Sequence, residues 1–152
     1  MFWDVIKKLV SPNVKFQAVE VYPGLFQSSK ISTPADVAKI FNLGIDIVID
    51  LEGGFDIPMV FLELYLWWPI LDVPFLPDRS TLDDVASFGR GALIGRHKVL
   101  VHCRQGLNRS GLVCGKIMSK FSIKGPDILS TIREKVPGSL FNPVFAKYVR
   151  GL

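Results

Sequence analysis

The chain has 152 residues, 49% of them apolar, a net charge of +4 and two cysteines. That length suits one domain, 1–152, with a proper core, and the apolar fraction excludes a disordered chain. The basic excess has no dense Lys/Arg tract behind it, so it admits anionic substrates without arguing for nucleic acid, and so few cysteines exclude a disulfide scaffold and predict a reducing, cytoplasmic setting.

In chain order, the first segment predicts a short amphipathic helix over Met1 to Asn13, with Phe2, Ile6 and Leu9 on one face and Pro12 as its stop. Asp4, Lys7 and Lys8 interrupt it too early for a secretory signal. Val19 to Val21 and Leu25 to Gln27 read as two strands about a Pro23-Gly24 turn. Thr33 is an N-cap, Pro34 takes the first helical position, Asp36 follows, and the helix runs to about Asn42 with Gly44 as its stop. Ile45 to Asp50 (IDIVID) is β-branched and predicts a buried strand, with Gly53-Gly54 opening a loop after it.

The stretch from Ile57 to Phe75 is greasy, but Glu63, Asp72 and the prolines at 58, 69 and 74 argue against a spanning helix and against stable membrane insertion. It reads as core plus loop, with an exposed apolar patch as the alternative. Tyr65 to Ile70 is the strand expected inside it. Ser80 then caps a helix from about Thr81 to Ile94, with Asp83 and Asp84 in its first turn, where carboxylates suit the macrodipole. Val99 to His102 is a further strand, followed by helices over Ser110 to Phe121, Pro126 to about Lys135 and Pro143 to Arg150; Gly125 and Asn142 are the expected N-caps of the last two. Strands alternating with helices predict an α/β fold: a mostly parallel central sheet flanked by helices, with ligands at the carboxyl ends of the strands.

The loop HCRQGLNRSG lies at such an end, between an apolar strand and a helix. A loop entering a helix aims backbone N–H groups at one anion, and the dipole adds favourable potential. The same setting lowers a thiol's pKa from about 8.5 to about 3.5–7.5, which makes Cys103 a candidate nucleophile. Arg109 offers a planar fork for two phosphoryl oxygens, and the Ser110 hydroxyl can hydrogen-bond the sulfur and help it leave. Arg104, Gln105, Gly106, Leu107 and Asn108 form the wall of the expected phosphate cradle, and Gly106 and Gly111 relieve crowding. Cys114, on the exit helix, reads as core packing ahead of a redox partner for Cys103.

His102, Cys103, Gly106, Arg109, Ser110 and Gly111 match the Cys-x5-Arg-Ser/Thr signature, and on them the chain resembles the protein tyrosine phosphatase superfamily. Its length resembles the compact dual-specificity branch, as do VYPGLFQSSKI, GIDIVIDL and REKVPGSLFNPVFAKYV, although Val136 stands where an Arg is common. The resemblance implies a cysteine-dependent phosphatase acting on phosphotyrosine, and in that branch also phosphoserine or phosphothreonine, through a phosphocysteine, with no cofactor and a phosphorylated protein as partner. It also implies a general acid, an Asp about thirty residues before the cysteine, that protonates the leaving oxygen and then activates water. Asp72 fits that separation; Asp78 is the competitor, and Asp50 is set aside because it ends a buried strand. In the family the residue at His102 shapes the loop and tunes the thiolate. No metal is expected, because the other histidine, His97, stands too far off to form a cluster with it.

Other substrates stay open. Gly106-Leu107-Asn108-Arg109 resembles the loop of RNA 5′-triphosphatases and diphosphatases, so an RNA 5′ end is an alternative partner, although Arg104 and Gln105 stand where that subgroup has Thr and His. Arg104 and the apolar stretch keep a phosphoinositide or phospholipid reading alive, and a non-catalytic phosphate-binding module is the alternative of a different class. Nothing in the sequence specifies an oligomeric state.

Overall fold

The computed structural model describes residues 15–152; the helix expected over Met1 to Asn13 lies outside them. The chain runs β1 (Ala18–Tyr22), β2 (Leu25–Ser28), α1 (Pro34–Asn42), β3 (Ile47–Asp50), β4 (Leu64–Trp67), α2 (Arg79–Ile94), β5 (Val99–His102), α3 (Arg109–Ser119), α4 (Gly125–Lys135) and α5 (Pro143–Arg150). The strands form one five-stranded sheet in the order β1-β2-β5-β3-β4. Only the β1–β2 hairpin is antiparallel; β2–β5, β5–β3 and β3–β4 are parallel.

Side chains alternate across this sheet as strand geometry requires. Ile47, Ile49, Val99 and Val101 face the larger core, with Leu112, Ile117, Ile128, Phe145 and Val149 of α3, α4 and α5 and Leu82 and Val85 of α2. Val48 and Leu100 face the smaller one, against Ile40 of α1, with Phe26, Ile31 and Ile45. The central strands β3 and β5 are buried along their whole length. Each fully buried Ile or Leu contributes about 1.5–3 kcal/mol, so these two layers hold the sheet rigid.

Register places the site. Asp50 of β3 and Ser28 of β2 both pair with His102 of β5, so the strands finish at one level and Cys103 leaves the sheet at its carboxyl edge. Local chemistry secures the flanking elements. Thr33 and Asp36 form a reciprocal capping box with Pro34 next in line, and Asn142 caps α5 by accepting from Val144 and Phe145.

Several boundaries differ from expectation. The strand expected over Tyr65 to Ile70 is β4, Leu64–Trp67. Pro69 has no N–H for a ladder, and although Trp68 N still donates to Asp50 O at 2.9 Å, the chain then turns away. The cap of α2 is Asp78, not Ser80, because its carboxylate reaches Thr81 N at 2.8 Å; Asp83 and Asp84 therefore fall beyond the first turn. Gly125 is the first residue of α4, and Lys124 is the cap. A side chain there has no room: a Cβ on Gly125 would lie 2.3 Å from the carbonyl oxygens of Val149 and Arg150.

The stretch from 57 to 75 divides between both readings made of it. Met59 and Ile70 are buried, while Val60, Leu64, Trp67, Leu71 and Phe75 are exposed. Among the described residues, no helix is long and apolar enough to cross a membrane.

Candidate active site

Cys103, Arg104, Gln105, Asn108, Arg109 and Asp72 line one small cavity of about 80 Å³. Its floor is the loop that joins β5 to α3. Cys103 Sγ and Ser110 Oγ are 3.3 Å apart within it, and both residues are buried. The loop is fastened from outside: Lys30 N donates to Arg104 O and Leu140 N to Leu107 O, each at 3.1 Å. Gln27 Nε2 donates to Gly106 O at 2.8 Å and to Ser139 Oγ at 2.9 Å. Gly106 has φ +74°, and a Cβ on it would stand 2.6 Å from Ser29 N and 2.7 Å from Ser28 C. Only glycine fits where the loop presses on the end of β2.

Arg109, the first residue of α3, turns its guanidinium into the cavity wall. Nη1 donates to Ile70 O at 3.1 Å and to Leu51 O at 3.4 Å; Nη2 pairs with Glu52 Oε1 at 3.2 Å. Its Nε is buried with no partner among the described residues. A buried donor left unpaired costs about 1–3 kcal/mol, and an anion in the cavity would take it up.

Asp72 stands at the mouth. Asn108 Nδ2 donates to its Oδ2 at 2.8 Å and Asn142 Nδ2 to its Oδ1 at 2.9 Å. Asp78 is elsewhere. It caps α2, where Thr81 N and Oγ1 each donate to Oδ2 at 2.8 Å, and these bonds hold its carboxyl below the usual range. Asp50 is fully buried and is not among the residues that line the cavity.

His102 faces away from the cavity into a polar cluster. Its Nε2 lies 2.6 Å from Asp56 Oδ2 and 3.4 Å from Asp50 Oδ1. Tyr65 donates its hydroxyl hydrogen to Asp50 Oδ2 and accepts from Asp56 N at 3.1 Å. Burial pushes the Asp50 carboxyl above the ordinary carboxylate value and, together with the Asp50 bond, pushes the Tyr65 phenol up as well. Asp50, Asp56 and His102 offer ligand atoms within 4.8 Å of one another. These atoms are bonded among themselves and to Tyr65, which fixes the orientation of the His102 ring next to Cys103. His97 instead pairs with Asp46, Nδ1 to Oδ2, at 2.9 Å.

Thus the structure brings together Cys103, Ser110, Arg109 and Asp72 with the loop from Arg104 to Asn108, and separates off Asp78 and Asp50. Glu52, Asn142, Asp56, Tyr65 and Gln27 also build the site, and sequence reasoning missed these roles. Glu52, two residues beyond Asp50 in a loop after a central strand, carried the clearest signal, because such positions are where α/β sheets place functional side chains.

The chain is similar to human DUSP28, with TM-score 0.75 and 20% identity over 87% of this chain and 94% of that one. This is the dual-specificity phosphatase fold. DUSP15 superposes at TM-score 0.76 with 22% identity over 88% of this chain and 85% of that one. A human tyrosine phosphatase-like serine/threonine/tyrosine-interacting protein superposes at TM-score 0.74 with 26% identity, over 88% of this chain and 93% of that one. No protein-family model and no curated sequence matches the chain. Cys114 sits in the core of the phosphatase fold, on α3, where full burial pushes its thiol well above the ordinary value.

Proposed function

We propose that this chain is a cysteine-dependent phosphatase of phosphomonoesters, with phosphorylated proteins as its substrate class. The observation that carries the reading is the single small cavity shared by Cys103, Arg109 and Asp72. It has room for a phosphoryl group, and the leaving group stays at the mouth beside Asp72. The likeness in fold to dual-specificity phosphatases supports the same reading.

In the first half-reaction the Cys103 sulfur attacks phosphorus. The S–P bond forms, the ester P–O bond breaks, and its electron pair goes to the leaving oxygen, which takes a proton from Asp72. The phosphoryl oxygens are held by the Arg109 fork, fixed on its other side by Glu52, Leu51 O and Ile70 O. Backbone N–H groups of the loop from Arg104 to Arg109 supply the rest of the cradle. In the second half, water attacks phosphorus and gives a proton to the Asp72 carboxylate. The S–P electron pair returns to sulfur, where the Ser110 hydroxyl, 3.3 Å away, stabilises it.

Purified protein should hydrolyse a small aryl phosphate and a phosphotyrosine peptide, and Cys103→Ser should abolish both activities. Turnover that survives this substitution would sink the mechanism. Comparing kcat/KM on a phosphotyrosine peptide, a phosphothreonine peptide and 5′-triphosphorylated RNA then orders the substrate classes, and a preference for the RNA would overturn the protein-substrate reading.

A further inference from the structure

Asp72 lies on an irregular connection between β4 and α2, and it is exposed. A carboxylate on such a segment ordinarily samples several rotamers. Here each oxygen is held by a different amide, Oδ2 by Asn108 Nδ2 at 2.8 Å and Oδ1 by Asn142 Nδ2 at 2.9 Å. The amides are themselves held in one orientation. Asn142 Oδ1 accepts from Val144 N at 3.1 Å and Phe145 N at 3.4 Å, so its Nδ2 must face the other way, towards Asp72 and Val73 O. Asn108 Oδ1 accepts from Asn142 N at 2.9 Å, which turns its Nδ2 to Asp72 in the same manner. Both asparagines are buried, at 2% and 7% exposure. Reversing either amide would set oxygen against carboxylate and N–H against N–H.

We propose that Asn108 and Asn142 are positioning residues that hold Asp72 in its proton-donating place before substrate arrives. The inference rests on Asp72 being the acid proposed above. A general acid works only within hydrogen-bond reach of the leaving oxygen, and a misplacement of about 1 Å can cost about a hundredfold in rate. Each carboxyl oxygen has two lone-pair positions. The amides use one on each, which leaves another for the transferred proton. The clamp joins three distant parts of the chain: the acid's connection, the nucleophile's loop and the cap of α5. The clamp therefore fixes the carboxyl at the cavity that Cys103 also lines.

The test compares kcat/KM on two aryl phosphates, dinitrophenyl phosphate, whose leaving group needs no proton, and phenyl phosphate, whose leaving group does. Asn142→Ser and Asn142→Asp both retain an oxygen to cap α5 while removing the amide donor, so the helix stays in place. Each should lose at least about tenfold on phenyl phosphate and less than about threefold on dinitrophenyl phosphate; Asn108→Ala, which also alters the cradle wall, should lose at least as much on phenyl phosphate. Inhibition by inorganic phosphate should hold for the Asn142 variants, because the cradle is unchanged. Asp72→Asn should show the same selectivity, and adding Asn142→Ser to it should cost nothing further on phenyl phosphate. Equal losses on the two substrates, or a further loss in the double variant, would overturn the inference while leaving the acid in place. If Asp72→Asn keeps full turnover of phenyl phosphate while Cys103→Ser is dead, the acid assignment fails and the clamp falls with it.

Discussion

Arg109 and Glu52 face each other across the wall of the cavity, Nη2 to Oε1 at 3.2 Å, both side chains mostly buried. The pair stands on the loop after β3 and the first turn of α3, so it also ties the sheet to that helix. With the carbonyls of Leu51 and Ile70 it leaves the guanidinium one way to point.

Glu52→Gln should weaken that anchor without emptying the space. The expected loss in kcat/KM on an aryl phosphate is about tenfold, the worth of one charge-assisted hydrogen bond, with weaker inhibition by phosphate. A variant with wild-type kinetics would mean that the two backbone carbonyls alone orient Arg109.

Gly106→Ala should damage the loop. The residue sits at positive φ, where a side chain costs about 1–2 kcal/mol, and its Cβ would strike the backbone of Ser28 and Ser29. Phosphate binding and turnover should both fall steeply, with a lower melting temperature. Unchanged binding would show that the loop can move away from β2 at little cost.

These features were not equally legible in the sequence. Caps such as Thr33 and Asn142 and the β-branched content of IDIVID are local, so the residues that make each element also announce it. The signature from His102 to Gly111 is also a contiguous run. Glu52 meeting Arg109, Gln27 meeting Gly106, and Asn142 meeting Asp72 are fixed by strand order and helix packing, which no local period encodes. Ser80 and Asp78 are both sound caps in isolation, and only the backbone's path after Pro77 decides between them.

Asp78→Ala should leave turnover near wild type and lower the melting temperature, because Asp78 serves the start of α2. The sign with pH follows from its depressed pKa: native Asp78 binds a proton less readily than the unfolded chain does, so its stabilisation is present above about 3.9 and fades as pH falls through the lower native value. The difference in melting temperature between variant and wild type should therefore shrink in strong acid. A large loss of turnover in this variant would return Asp78 to the role assigned to Asp72.

Alkylation should separate the two cysteines. Cys114 is fully buried and its thiol is held protonated by that burial, whereas Cys103 lines the cavity. Iodoacetamide should label Cys103 alone in the native protein, inorganic phosphate should protect it, and inactivation should track the labelling. Labelling of Cys114 at a similar rate would contradict its place in the core.

The central claim is that phosphorus passes through sulfur. Rapid quenching of wild-type protein with an aryl phosphate, followed by mass spectrometry of the cleaved chain, tests it directly. One phosphoryl group should appear on the peptide that carries Cys103, and none on the same peptide from Cys103→Ser. Turnover with no phosphorylated Cys103 at any quench time, or phosphate on another residue, would contradict the account.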